Sequence, residues 1–402
     1  MQQNEYLSFD VETTTHNKGH PFDKRNFLVS YSLYSPSISA NFKYYSDPGF
    51  LEELKEKLKT TRLLIGFNIK FDIHWVCRCL GDDSIPVGLS IWDVQLAEFI
   101  ISGQRTSFDS LNDVLERYGL PIKPDLVKDY WDKGVSTEDI PVDILEEYNN
   151  YDAESTYKLF ELQKAKMSKA QQRLLIDIGN DLKVLQHAEF AGIKFDREAA
   201  ELLVAESQVN LESIEIELSK YLPSEFPNEY YTFNWDSGDQ LSALLYGGKI
   251  DYAYSIQEQT NYRSGSKKGE AYVRNRWFSQ TVSFPRKFTP KERTEVSKTR
   301  SNPPEGNHFF QVDGPTIQSL KSRRKEDKIL LQFLQDRSKI IKVLEMVRSL
   351  LKLMDEKQWN DGFLHGQFNQ QIARTGRLSS STPNLQNTPP EIDKLLISRY
   401  AY

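Results

Sequence analysis

Asp10 and Glu12 sit in a stretch, Leu7-Ser8-Phe9-Asp10-Val11-Glu12-Thr13, in which apolar and polar residues alternate. A period of two marks a strand, and it sends both carboxylates to one face. Two acids held side by side repel each other. Hard divalent cations, which take oxygen ligands, relieve that repulsion best. Taken alone, the pair also fits a solvated edge strand. Further groups follow in order. Asn68 and Asp72 are four apart in Gly66-Phe67-Asn68-Ile69-Lys70-Phe71-Asp72. If a helix begins near Asn68, both side chains lie on one face of its first turns. Asn68 equally fits a helix N-cap, and Asp72 a carboxylate favoured by the positive helix N-terminus. Tyr148 and Asp152, again four apart, project side by side from a helix expected to run to about Ala165.

The elements that must carry these groups read as an α/β start. Strands are expected at Phe27–Tyr34, Asn41–Tyr45 and Leu63–Ile65, with a short helix marked by Leu51, Leu54 and Leu58. Ile91-Trp92-Asp93 opens another segment, with Leu96, Ala97 and Ile100 at helical spacing and Asp93 as its cap. Lys164 to Gln172 is a polar hinge. Beyond it Leu174, Ile178, Leu182 and Leu185 form a helical stripe that ends at Gly192 before a short extended piece. Helices are then expected from Arg197 to Tyr221, near Gln240, and from Gly314 to about Glu356, where Val343, Met346, Val347, Leu350 and Met354 share one face.

The 402 residues allow two or three domains, and 39% hydrophobic with 27% charged residues fits a soluble globular protein. No run of about 18 apolar residues and no signal peptide are evident, so no membrane partner is expected. The two cysteines, Cys77 and Cys79, read as buried thiols on a helix and favour a reducing, cytoplasmic setting. The net charge of −6 does not advertise a nucleic-acid binder. Its distribution says more. Between Tyr262 and Arg300 eleven Lys or Arg face three acids, an excess of eight, and Trp277, Phe278, Phe284 and Phe288 are interleaved. Basic residues attract phosphates and aromatics stack on bases, which would make Lys267, Lys268, Arg274 and Arg276 DNA contacts. A solvated, partly disordered loop fits the same composition.

In order, D-x-E, N-x-x-x-D and Y-x-x-x-D resemble the three motifs of the DEDD superfamily of 3′–5′ exonucleases, with Tyr148 pointing to the DEDDy branch. The resemblance implies a ribonuclease H-like mixed sheet with flanking helices. It implies Asp10, Glu12, Asp72 and Asp152 as ligands of two divalent cations, Mg²⁺ or Mn²⁺, with Asp10 bridging and Asp72 supporting the second. Tyr148 would orient the attacking water, and Asn68 would support the site or touch the substrate. Such a pair of ions supplies an activated water and shields the phosphoryl group.

A second resemblance lies at Thr375-Gly376-Arg377-Leu378-Ser379-Ser380 and Pro383-Asn384-Leu385-Gln386-Asn387, which look like the T-G-R-L-S-S…P-N-L-Q-N signature of family A DNA polymerases. The Glu189–Asp196 and Phe233–Leu241 stretches fit that family's thumb. Thr388 departs from the pattern, standing where the family usually has Ile. The resemblance implies Arg377, Asn384 and Asn387 against the minor groove of a primer–template duplex, whose acceptors are present in every base pair. It yields an exonuclease domain at 1–165, a mainly helical thumb-like region at 166–250 and 314–360, a basic insertion at 251–313, and the start of a palm at 361–402. No D-Y-S-x-I-E-L-R, fingers or H-D-E motif follows, and no 5′-nuclease domain precedes. The expectation is a proofreading 3′–5′ DNA exonuclease in a bacterial or phage-infected cytoplasm. It would engage single-stranded 3′ ends and primer–template, with palm and fingers supplied by a second polypeptide. A truncated or intron-interrupted product, a stand-alone RNA exonuclease and a non-enzymatic DNA-binding subunit are the alternatives.

Overall fold

The first strand, β1 (Tyr6–Thr13), lies at the centre of a five-stranded mixed sheet of order β3-β2-β1-β4-β5. The computed structural model describes residues 6–81, 88–105, 109–122, 126–261, 263–290, 309–359 and 361–398. Strands β2 (Leu28–Ser35) and β3 (Ser39–Tyr44) form an antiparallel meander with β1. Strands β4 (Leu63–Gly66) and β5 (Ser90–Asp93) add in parallel on the other side. Leu7, Phe9, Tyr31, Leu33, Leu64 and Ile65 are buried in the core of this sheet, so the period of two in β1 has its physical cause.

Helices fill in around it: α1 (Phe50–Thr60), α2 (Lys70–Leu80), α3 (Val94–Ile101), α4 (Leu111–Arg117), α5 (Leu126–Asp132), α6 (Val142–Lys166) and α7 (Lys169–Ala191). Both cysteines lie on α2, as the sequence indicates, but only Cys77 is buried; Cys79 is half-buried. Within Lys164–Gln172 only Met167 and Ser168 stand outside the helices, a tight turn between α6 and α7 fixed by a capping box of Ser168 and Gln171.

Four expectations are corrected. Helix α2 begins at Lys70, and Asn68 stands before it at φ 52°, so Asn68 neither shares a helix face with Asp72 nor caps the helix. On α7 the buried stripe is Leu175, Gly179, Leu182, Gln186 and Glu189, not the face through Leu174, which is exposed. The close approach of β5 selects that face, since a Cβ on Gly179 would come within 2.8 Å of the Ile91 carbonyl oxygen. The long helix from Gly314 is two, α10 (Gly314–Ser319) and α11 (Lys325–Lys357). Leu320 between them turns extended and buried, and Ser322 Oγ takes the Arg324 amide and donates to Asp327. The first part of the basic insertion, where a partly disordered loop also fitted the composition, belongs to a regular antiparallel ribbon of β7 (Gly248–Asn261) and β8 (Ala271–Phe284). Phe284 and Phe288 are core residues there, so they cannot stack on bases. Lys291, Arg293, Lys298 and Arg300 of the basic stretch, and 399–402 of the expected palm start, lie outside the described residues.

The chain forms two compact units, 1–200 with 349–402, and 201–348. In the first, β6 (Ile193–Phe195) pairs with β9 (Phe363–Leu364) and β12 (Leu396–Ile397), and β10 (Gln367–Asn369) with β11 (Ser379–Ser381); α12 (Pro390–Asp393) follows. The second holds most of α8 (Arg197–Ser219), α9 (Gly238–Tyr246), the ribbon, α10 and much of α11. Among the described residues no helix is long and apolar enough to cross a membrane.

Gly179→Ala should destabilise the protein by about 1–3 kcal/mol, as overpacking does. Urea unfolding measures it, with Gly314→Ala as the control, since a Cβ there meets nothing and the backbone, as at Gly179, is not left-handed.

Candidate metal centre and its supports

Asp10 and Glu12 emerge together from β1 and meet Asp152 from α6. Ligand oxygens of the three lie within 4.8 Å of one another, and all three side chains are partly exposed. The register explains how the helix reaches them. Asp10 pairs across β2 with Ser32, and Glu12 with Ser30. These small hydroxyl residues leave room for α6 and bond to it. Ser30 Oγ donates to Asn149 Oδ1 at 3.2 Å, and Ser32 Oγ to Asn150 Oδ1 at 2.5 Å. Asn149, fully buried, donates its Nδ2 to Asp10 Oδ2 at 2.6 Å and to the Asp10 carbonyl at 3.3 Å. Tyr148 and Asp152, on the neighbouring turns of the same helix, are thereby set in rotation and height. The Tyr148 ring stands edge-on to Trp131 at 6.2 Å.

Asp72 is outside the three-carboxylate set. It is buried in the first turn of α2, and its Oδ1 accepts the Val11 amide at 3.1 Å, which ties α2 to the residue between Asp10 and Glu12. Burial first, and the Asp10 carboxylate second, push Asp72 well above the usual carboxylate range. Asp93 does more than cap α3. Its carboxylate accepts the amides of Gln95 (2.8 Å) and Leu96 (3.2 Å), and also those of Asn68 (3.3 Å) and Ile69 (3.1 Å). One buried acid thus organises the turn into α2 and leaves the Asn68 side chain exposed. Burial pushes Asp93 up to about 6 against those four donors.

A second buried carboxylate, Glu189 of α7, joins α2 to β10. It accepts Lys70 Nζ (2.6 Å) and the Phe368 amide (2.6 Å) on one oxygen and His74 Nε2 (2.8 Å) on the other. Burial opposes its charge, but His74 and Lys70 hold it below the usual range. His74 therefore carries its proton on Nε2, leaving Nδ1 to accept from Gln186. A cavity of about 180 Å³ beside this hub is lined by Asn68, Phe71, His74, Gln95, His365 and Asn369, among others. Gln371 Nε2 bonds Gln95 Oε1, so the strand leading to the Thr375–Asn387 segment is held from α3 as well. Arg377, Asn384 and Asn387 are all exposed on that segment. Ser380 Oγ, donating to the Pro383 carbonyl and accepting the Leu385 amide, shapes it.

In the other unit Lys267 and Lys268 are exposed at the ribbon tip. Arg274 and Arg276 share Glu258 at 3.0 and 3.9 Å. Asn149 and Glu189 escape a reading of the sequence. The doubled Asn between Tyr148 and Tyr151 is the signal for the first, and a polar stripe through Gln186 on α7 for the second.

Residues 294–400 match the model of DNA polymerase family A. The chain is 25% identical over 333 residues to DNA polymerase I of Synechocystis, covering 81% of this chain and 27% of that protein. It is 23% identical over 403 residues to DNA polymerase I of Borreliella burgdorferi, covering 98% and 36%. With DNA polymerase DpoZ of Acinetobacter phage SH-Ab 15497 it shares 26% identity over 183 residues, 42% of this chain and 28% of the phage protein. The chain thus spans about a third or less of the curated relatives it matches. Among solved structures, the polymerase domain of Pol1 from M. smegmatis, in complex with DNA primer-template and dNTP, superposes with a TM-score of 0.60 at 18% identity. That match covers 98% of this chain and 55% of that one, and it shows a shared fold.

Asn149→Ala should weaken Mn²⁺ binding by about ten-fold or more, as loss of an orienting partner does, with the fold kept; paramagnetic titration of the metal measures it. His20, buried against Phe22 and Trp359, is lowered to about 3 by burial and then by the Lys357 charge. Between pH 6.5 and about 3 the unfolded chain binds a proton there that the folded one does not. Stability is therefore full above pH 6.5 and falls as the pH drops, by at most about 1.4 kcal/mol per pH unit for one group. His20→Gln should flatten that fall in urea unfolding between pH 7 and 5.

Proposed function

For this chain of the family A DNA polymerase type, we propose that residues 1–165 are a metal-dependent 3′–5′ exonuclease acting on DNA. The observation that carries the reading is the convergence of Asp10, Glu12 and Asp152, with Asp72 bonded to the strand between the first two. Three partly exposed carboxylates offering only oxygen suit Mg²⁺ or Mn²⁺ and leave positions for water and phosphate. Asp10, Glu12 and Asp152 would hold one ion and Asp72 would support a second. Bound there, the ions would lower the pKa of a water and shield the phosphoryl oxygens.

The chain's own residues do the positioning. Asn149 holds one Asp10 oxygen by a hydrogen bond and so aims the other. Tyr148, one turn before Asp152, would direct its hydroxyl at the attacking water. Asn68, exposed on its turn, would meet the substrate strand. The mixed sheet with its helices fits the ribonuclease H-like expectation. Arg377, Asn384 and Asn387 would lie against the minor groove of primer–template, with 166–250 and 314–360 as thumb-like helices. Palm and fingers would come from sequence outside these 402 residues, on the same or a second chain.

A 5′-labelled, mismatched primer–template incubated with Mg²⁺ and dNTPs tests this. The expected product is a ladder shortening from the 3′ end, at a higher rate than from an RNA 3′ end. Asp10→Ala with Glu12→Ala should abolish digestion and leave duplex affinity within about three-fold, since phosphate contacts elsewhere supply it. Parallel loss of cutting and binding would remove the site assignment. Binding without cutting by the unaltered protein would favour a DNA-binding subunit.

A further inference from the structure

The ribbon β7–β8 is built to project. At its root Ile250, Tyr252, Val282 and Phe284 are in the core, and an aromatic ladder continues outward. Tyr231 stacks on Tyr252 at 4.6 Å, Tyr230 on Tyr254 at 5.0 Å, and Tyr254 on Phe278 at 5.5 Å. An isolated two-stranded hairpin is marginal in water, and this ladder anchors it. No third strand joins it among the described residues.

Its period of two sorts the outer half into unlike faces. The ladder face continues as Ile256 beside Arg276 and Glu258 beside Arg274, with the Arg276 guanidinium 5.2 Å over Phe278. Both arginines are thus engaged by the ribbon itself. The opposite face carries Ser255, Gln257, Gln259, Val273, Asn275 and Trp277, with no charged residue between Ala253 and Ser279. Trp277, at the root-side end of that set opposite Ser255, is 70% exposed. Six residues back along β8, just before its first residue, comes the tip, where Arg263, Lys267 and Lys268 face only Glu270 and all are exposed.

We propose that the outer ribbon is a second DNA contact: the Trp277 indole stacks on a base of a single-stranded segment, and Arg263, Lys267 and Lys268 meet its phosphates. The proposal rests on the reading that this chain works on DNA. Charge complementarity names the occupant. The tip is cationic, and on the indole face the one carboxylate, Asp251, lies on the root side of Trp277, so none stands between the indole and the tip to repel a phosphate chain. Its amides and hydroxyls can bond base edges. Bases in a duplex are already stacked, so an indole standing on an open face pairs with an unpaired one. Trp277 and the tip are about 20 Å apart along the strand, a span within the roughly 4–16 nucleotides that single-strand sites occupy. Stacking of this kind tolerates any sequence.

The test uses the full chain carrying Asp10→Ala and Glu12→Ala, in EDTA, titrated with a fluorescent oligo-dT of about twelve nucleotides and with a blunt duplex. Adding Trp277→Ala should lower oligo-dT affinity by about five-fold or more, abolish much of the tryptophan quenching, and change duplex affinity little. Lys267→Gln with Lys268→Gln should reduce the slope of log affinity against log salt by about 1.4, at 0.7 per single-strand phosphate. Superimposable oligo-dT titrations with and without Trp277, or an unchanged salt slope, overturn the proposal. So does a Trp277→Ala variant that loses self-association in sedimentation while binding oligo-dT normally, because the face then belongs to a second copy. Failure of the exonuclease reading looks different: the unaltered protein would not cut, while the Trp277-dependent quenching would persist.

Discussion

The structure depends on how α6 is locked across β1 and β2. Asn149 is fully buried at that crossing, and its amide bonds Ser30 on one strand and Asp10 on the other. A buried amide left unpaired costs about 1–3 kcal/mol, so α6 cannot rotate or slide without stranding it. Ser32 and Asn150 repeat the bond one pair along. Because the helix rotation is fixed by these polar bonds rather than by shape alone, Asp152 arrives against Asp10 and Glu12 in one arrangement. Three carboxylates would otherwise drive each other apart.

Two buried acids outside the cluster do the corresponding work for α2. Asp93 takes four backbone amides and so fixes the turn that releases Asn68 and starts the helix. Glu189 takes Lys70 and His74 from that helix and the Phe368 amide from β10. Losing one partner of such a group leaves a charge buried without compensation, which typically costs about 3–5 kcal/mol. The helix bearing Asp72 and the strand leading to Arg377 are therefore braced by the same side chain within one unit.

Much of this was legible where one residue's burial decides the pattern. The alternation of β1, the four-residue spacing of Tyr148 and Asp152, the cap at Asp93 and the stop at Gly192 appear where the sequence puts them. Long-range partners were not legible. The α7 face was misread because Gln186 and Glu189 look like solvent residues until His74 and Lys70 are beside them. Asn68 looked helical because its left-handed backbone comes from Asp93, twenty-five residues away. The break at Leu320 lies in a sequence with good helix formers on both sides, and burial of that leucine overrides them. Charge in the 251–313 stretch concealed a strand pattern of period two.

That period constrains how the ribbon could have arisen and how it can vary. Adding or deleting a single residue in either strand exchanges its two faces beyond that point. Trp277 would then turn onto the ladder side and Phe278 into solvent, unless a bulge absorbed the change. Length can change freely only in matched pairs, two residues on β7 with two on β8. Relatives that carry this arm should therefore differ in its reach by steps of about 7 Å, with the open aromatic face on the same side each time.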